Sequence, residues 1–288
     1  MLKIKNKIVG NDQPVFFIAE IGINHNGSIE NAIELIKKCK SAGADAVKFQ
    51  KRTVELVYSK EELEKPRESV FGNTNGDLKR GLEFDKNDYQ KINQVCEELD
   101  IVWFASCWDQ RSVDFMEDLN VPCYKIASAS ITDKDLLTYT EKTKKPIILS
   151  TGMSTEEEIL KSANIFNKDN LIVLHCTSAY PCKIEELNLS YIYKLKKMFN
   201  CPIGYSGHEV GLSTTLAAVA MGAKVIERHV TLDRSLWGSD QSASIEPQGL
   251  EKLIRDIKTF ELAYGNGEKI VYESEKPILE KLRKVNSI

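Results

Sequence analysis

Histidine is scarce in this chain, four residues in 288, and its seven cysteines are odd in number with no two at CxxC spacing. That argues against a disulfide scaffold or a thiolate zinc site and predicts a reducing compartment. Most of the thiols fall inside predicted helices or strands, where they pack as small apolar groups. Positive charge is not in excess either: 39 Lys and Arg stand against 42 Asp and Glu, a net charge of −3. This balance argues against a general nucleic-acid or anionic-membrane binder, so an anionic ligand must be held by a local cationic pocket. No apolar run reaches membrane length, and the opening MLKIKNKIVGND has no apolar signal-peptide core, so the expected location is cytoplasmic. No GxGxxG turn follows the first predicted strand, which weakens a dinucleotide-binding reading.

What is present is a regular alternation. The stretch 201–230, CPIGYSGHEVGLSTTLAAVAMGAKVIERHV, reads strand, polar turn, small-residue helix, strand. Such a βαβ unit makes its two strands parallel, with their C-terminal ends side by side. His208 and His229 then meet at one point, either as half of a metal site or as hydrogen-bonded packing residues. All four histidines, with His25 and His175, fall at or just past the C-terminal end of a predicted strand.

The same unit recurs along the chain. Apolar strands are predicted at 15–21, 44–50, 101–106, 122–128, 146–150, 171–176, 202–206 and 223–228. Helices are predicted at 28–43, 85–99, 109–119, 133–143, 155–166, 184–199, 212–221 and 250–264. Eight strand–helix pairs in about 250 residues predict an α/β fold, a single-domain (β/α)8 TIM barrel, in preference to an open doubly wound sheet. The expected layout is an N-terminal strand or hairpin arm over 1–14, the barrel over 15–265 and a helical tail over 266–288. One connection is abnormally long. Residues 51–84, rich in Glu, Lys, Gly and Asn, are expected to form a lid at the catalytic end.

Barrels of this kind build their sites at the C-terminal ends of the strands. Those positions supply Glu20, Lys48, Gln50, Ser106, Lys125, Ser128, Ser150, Thr151, His175, Thr177, Ser178, Tyr180, Ser206, His208, Glu227 and His229, with Asp240 in the loop beyond. Lys48 and Lys125 sit in apolar strands, where a buried ammonium needs an anion beside it. Either a barrel carboxylate or a bound phosphate or carboxylate meets that need. Hydroxyls of Ser106, Ser128, Ser150 and Ser206 support the second reading by completing an oxyanion cradle. Two imidazoles with Glu20 nearby suit a divalent ion with open positions, Mn²⁺ or Mg²⁺ rather than structural zinc.

These residues stand in a set of longer motifs: IAEIGINHNG (18–27), GADAVKFQ (43–50), YKIAS (124–128), ILSTGMS (148–154), HCTSAYP (175–181), IGYSGHEVG (203–211), VIERHVTLD (225–233) and GSDQSAS (238–244). Together they resemble the sialic acid synthase family, which condenses phosphoenolpyruvate with a hexose-type aldehyde. The resemblance covers nearly the whole barrel. It implies that Lys48, Lys125, Ser128, Ser150 and Ser206 hold phosphoenolpyruvate and that His208 and His229 bind Mn²⁺. Glu20, Gln50, Tyr180 and Asp240 would face the sugar or a metal-bound water. The expected catalytic set is thus Glu20, Lys48, Gln50, Lys125 and Asp240; the expected substrate-binding set is Ser106, Ser128, Ser150, Thr151, Ser178, Tyr180 and Ser206. In the implied reaction, C3 of phosphoenolpyruvate attacks the aldehyde carbon while the metal polarises the aldehyde oxygen. Water then adds at C2 and phosphate leaves by C–O cleavage, with Glu20 handling the water's protons.

Two departures from the family pattern stand out. Many members carry Gly-Ser-Gly and an acid where this chain has Ala127-Ser128-Ala129-Ser130, so a carboxylate is missing. Members usually continue into an antifreeze-like domain swapped across a dimer, and this chain ends about where that domain would start. N-acetylmannosamine is the expected acceptor and a homodimer the expected assembly, with a 6-phosphorylated acceptor as the alternative. Two readings from other classes remain. One is a Schiff-base aldolase using Lys48 or Lys125; the other is a non-catalytic sugar-binding barrel.

Overall fold

In the computed structural model, which describes residues 2–285, the eight expected strands all form and close on one another. They are β1 (Phe16–Gly22), β2 (Ala46–Lys51), β3 (Val102–Cys107), β4 (Tyr124–Ile126), β5 (Ile147–Ser150), β6 (Leu171–Cys176), β7 (Ile203–Gly207) and β8 (Val225–His229). Each pairs in parallel with its neighbours in the chain, and β8 returns to β1, so no edge is left unpaired. The single-domain (β/α)8 barrel is the observed architecture. No helix among the described residues is long and apolar enough to cross a membrane.

The outer ring is α1 (Ile29–Ala42), α2 (Lys86–Glu98), α3 (Gln110–Asp118), α4 (Lys134–Glu141), α5 (Glu156–Ala163), α6 (Tyr191–Met198), α7 (Ser213–Ala220) and α8 (Pro247–Tyr264). Their starts follow from side-chain chemistry. Ser28, Asp85, Asp109, Asp133 and Thr155 each accept a hydrogen bond from a first-turn backbone N–H. Gly43, at φ 93°, ends α1 in the left-handed region a side chain disfavours.

One expectation is corrected. The helix expected over 184–199 is a short 3-10 turn, Ile184–Glu186, followed by α6 only from Tyr191. Asn188 between them takes φ 44°, and the Leu187 carbonyl accepts a bond from His175 Nε2 at 2.7 Å, so the helical ladder is interrupted there. The long connection after β2, expected as a lid, has regular structure of its own. It folds into helices Val54–Val57, Lys60–Leu63 and Asn75–Gly81 around a ribbon of Pro66–Ser69 and Gly72–Thr74. The Phe71 ring anchors it, lying so close to Gly27 and Gly81 that a Cβ at either would fall within 2.6 Å of ring carbon.

At the opposite end, the hairpin Leu2–Ile4 and Lys7–Val9 covers the barrel floor with buried Leu2, Ile4 and Val9. The tail beyond α8 is exposed and carries a 3-10 turn, Glu273–Glu275, running into a short helix, Lys276–Leu282; its expected end at 286–288 lies outside the described residues.

Barrel closure leaves little room at β7. A Cβ on Gly204 would stand 2.3 Å from the Val225 carbonyl oxygen and 2.4 Å from Leu174 Cδ2. Gly204→Ala is expected to cost about 1–3 kcal/mol through forced strand separation. Denaturant unfolding checks this, and a variant as stable as the parent contradicts it.

Candidate active site

Side chains alternate inward and outward along each strand. In β7 and β8 the inward positions run Ser206, His208 and Glu227, His229, while Arg228 points out towards α7. In register, Ser206 stands opposite Glu227, His229 opposite Glu20, Glu20 opposite Lys48, Gln50 opposite Ser106, and Ser106 opposite Lys125. Strand closure therefore gathers residues 20, 48, 125, 206 and 227 into one layer, although they span most of the chain.

A cavity of about 190 Å³ opens above that layer. It is lined by Glu20, Lys48, Gln50, Ser106, Lys125, Ser128, Ser150, Ser178, Tyr180, Ser206, His208 and His229, all of them expected site residues, and by Glu227. Two expected residues lie off this wall. The Thr151 hydroxyl donates to the Leu174 carbonyl at 2.9 Å, a bond to the neighbouring strand. Asp240 stands behind His229, with Oδ2 at 3.7 Å from Nδ1. A larger cavity of about 910 Å³ lies at the N-terminal ends of the strands, beside Phe17 and Ala44, away from this chemistry.

Four buried charges dominate the floor. Lys48 Nζ is 2.8 Å from Glu20 Oε2 and 3.6 Å from Glu227 Oε2, and Lys125 Nζ is 3.2 Å from Glu227 Oε1. The barrel carboxylates thus neutralise both lysines, one of the two alternatives read from the sequence. The charges are unequally shared. Burial pushes the Glu20 carboxyl up, and Lys48 only partly offsets this. Burial acts on Glu227 too, but Lys125 and Lys48 together outweigh it and hold that carboxyl down. Burial likewise lowers Lys125, whereas on Lys48 burial is outweighed by Glu20 and Glu227, which raise it.

Hydroxyl groups surround this cluster. Lys48 donates to Ser106 Oγ at 2.9 Å, and Ser206 donates to Glu227 at 3.0 Å. The Gly152 N–H donates to Ser128 Oγ at 3.0 Å. Ser150 Oγ is buried with no hydrogen-bond partner, as is the Trp108 indole nitrogen beside the cavity. Such groups cost free energy unless a ligand or water satisfies them.

The two histidines meet as expected, their ring centres 5.3 Å apart, with Tyr180 packed against His208 at 4.2 Å. His208 Nδ1 lies 3.0 Å from the Thr177 carbonyl, so this nitrogen carries the proton and Nε2 is left to face the mouth. Burial lowers His229 to about 3, which keeps it neutral, and its Nδ1 is buried without a hydrogen bond. On His208 burial acts the same way but is outweighed by Cys176 and the Thr177 carbonyl, which raise it. A neutral imidazole with a free nitrogen in a cleft fits a hard-to-borderline divalent ion. Among the described residues no group of three or more His, Cys, Asp or Glu side chains forms a metal-holding cluster.

The other histidines belong to the packing. His25 stacks on Phe84 with centroids 4.0 Å apart, and His175 bonds the Leu187 carbonyl. The outward phase of His175 in β6 could have been read from its neighbours, since Leu174 and Cys176 flank it on the inward phase. Sequence reasoning placed Glu227 among the strand-end residues but gave it no catalytic or binding role, although it stands two residues before His229, on the same face. Cys176 shares the inward phase of β6 in the same way, whereas Trp108, beyond the end of β3, had no such signal. Cys176 Sγ lies 3.8 Å from His208 Nδ1.

Residues 35–269 match the NeuB family. Over 281 residues the chain is 41% identical to N-acetylneuraminate-9-phosphate synthase of Homo sapiens, spanning 96% of this chain and 78% of that protein. It is 35% identical over 285 residues to N,N'-diacetyllegionaminic acid synthase of Legionella pneumophila, with 96% and 80% covered. Among solved structures, N-acetylneuraminic acid (sialic acid) synthetase from Leptospira borgpetersenii, in complex with citrate, superposes with a TM-score of 0.86 at 32% identity, covering 99% of this chain and 98% of that one.

Proposed function

The chain belongs to the NeuB family of synthases, and we propose that it condenses phosphoenolpyruvate with a mannose-type aldehyde to form a nonulosonic acid and phosphate. One observation carries the reading: two buried ammonium groups and two imidazoles share a single cavity at the barrel mouth. Lys48 and Lys125 bind the carboxylate and phosphate of phosphoenolpyruvate, drawing on charge now shared with Glu20 and Glu227. Ser150 and Ser128 donate to the same anion. The buried Glu20 carboxyl, pushed up by its surroundings, exchanges a proton with the water that adds at C2. Gln50 donates to Glu20 Oε1 at 3.2 Å and keeps that carboxyl turned to the cavity.

His208 and His229 are proposed to hold Mn²⁺ or Mg²⁺ through the nitrogens they leave free. A divalent ion there supplies polarisation of the acceptor's aldehyde oxygen. Tyr180, packed against His208, faces the sugar hydroxyls, while Asp240 acts from behind by orienting His229.

The acceptor is an N-acetylmannosamine-type sugar, and the relatives named N-acetylneuraminate-9-phosphate synthase favour its 6-phosphate as a second reading. The test is phosphate release from phosphoenolpyruvate across free and 6-phosphorylated sugars with Mn²⁺. Calorimetric titration of Mn²⁺ into the parent and into His208→Ala follows the metal. Release that depends on a mannose-type sugar is expected. Release with no acceptor dependence, or Mn²⁺ binding unchanged in His208→Ala, would sink the respective part.

A further inference from the structure

The mouth cavity, at about 190 Å³, is smaller than the ~300–1,000 Å³ typical of ligand sites, and phosphoenolpyruvate must already enter it. The body of a hexose acceptor therefore extends beyond it. A second cavity of about 850 Å³ lies at the same end of the barrel, between the folded insertion after β2 and the loops that follow β1 and β8. Two short chains of contact join them. Ser239, on the wall of the second cavity, donates to Asp240 Oδ1 at 2.7 Å, and the same carboxylate faces His229. On the other side, Lys79 Nζ lies 5.1 Å from the centre of the Tyr58 ring. The Tyr58 hydroxyl accepts from Arg52, which donates to Gln50 Oε1 at 2.6 Å.

The second cavity has the composition of a sugar-phosphate site. Arg67 and Lys79 are on its wall with one acid, Glu68. Neither cation forms an ion pair among the described residues: Arg67 donates from Nη1 to Asn75 at 3.3 Å, and Lys79 rests over Tyr58. Trp237, 40% exposed, supplies an aromatic face held in place by Phe71 at 5.9 Å. Apolar ring, amide, hydroxyl and cations outside any ion pair are what a polyol chain ending in a dianion requires.

We propose that this cavity receives the far end of a 6-phosphorylated sugar acceptor, with Arg67 and Lys79 as the counter-ions of its phosphate and Trp237 flanking its carbon chain. The inference rests on the synthase reading for the position of the aldehyde end. The site has no role with phosphoenolpyruvate, whose charge is met by Lys48 and Lys125.

Calorimetric binding of N-acetylmannosamine 6-phosphate and of N-acetylmannosamine tests it, on the full chain with Mn²⁺, in the parent and in Arg67→Gln, Lys79→Gln and the double variant. Glutamine at 67 keeps a donor for Asn75 while removing the charge. The parent is expected to bind the phosphorylated sugar at least about tenfold more tightly than the free one. Each substitution is expected to reduce that ratio about tenfold or more, the worth of one charge-assisted bond. The affinity for phosphoenolpyruvate should stay as it is. Equal binding of the two sugars by the parent overturns the proposal. So does a preference that survives in the double variant, or a loss that falls equally on both sugars. Phosphate release run in parallel separates the two ideas: a phosphate preference without any turnover refutes the synthase reading and leaves the subsite standing.

Discussion

Glu227→Gln is expected to lower the thermal midpoint by roughly 6–10 °C, yet to enlarge the further rise that phosphoenolpyruvate produces. Glutamine keeps the shape of the side chain and a bond to Ser206, but leaves Lys125 without its 3.2 Å partner and Lys48 with Glu20 alone. Removing one member of a buried pair costs about 3–5 kcal/mol, because the stranded charge cannot be hydrated. Lys125 responds by shedding its proton more readily, which limits the loss. A bound dianion restores the missing countercharge, and it no longer competes with a protein carboxylate for the ammonium. Differential scanning fluorimetry with and without phosphoenolpyruvate reads both effects. An unchanged midpoint would mean the pair is weaker than its geometry implies. A smaller ligand-induced rise would mean phosphoenolpyruvate is not held by these lysines.

The second large effect is predicted on the outer side of the same strands. Arg228 and Glu209 are both completely buried and lie 3.0 Å apart. Arg228 also donates to the Glu209 and Gly211 carbonyls, while Tyr205, Thr214 and Thr215 donate to the Glu209 carboxylate. Burial is outweighed at Glu209 by Arg228 and these donors, which hold the carboxyl below its usual range. Arg228→Met leaves that carboxylate uncompensated and is expected to cost about 3–5 kcal/mol. Adding Glu209→Leu should recover most of the loss, since a packed apolar pair is often as stable as a buried ionic one. Urea unfolding of the four members of the cycle measures the coupling. A double variant no better than Arg228→Met would show that the surrounding hydrogen bonds, not the charge pair, hold β7 and β8 together. The placement matters for the site as well. Glu209 follows His208 and Arg228 precedes His229, so this one pair braces both imidazoles from behind.

Much of this site follows from local rules that a sequence displays openly. The polar residues Ser28, Asp85, Asp109, Asp133 and Thr155 mark where helices begin, because a side-chain oxygen there satisfies a backbone N–H that has no other partner. Strand parity is equally local: Lys48 with Gln50, and Glu227 with His229, must share a face. The same local reasoning fails at 184–199, where an apolar pattern continues through Asn188 but the backbone does not. The reason is non-local, since His175 from β6 takes the carbonyl of Leu187.

From the order of its residues alone, the chain determined a closed eight-fold alternation, the strand ends that carry chemistry, and the meeting of His208 with His229. These depend only on periodicity and on the parallel geometry of adjacent strands. Tertiary structure decided which charges cancel. Glu20, Lys48, Lys125 and Glu227 are distant in sequence and become one neutral cluster only when β8 returns to β1 and the register sets them level. It also decided that residues 51–84 are a folded wall with Arg67 and Lys79 facing a cavity, because the position of that wall depends on Phe71 seating against Gly27 and Trp237 from far along the chain. Electrostatic energy depends on distance in space, and only closure of the barrel sets those distances.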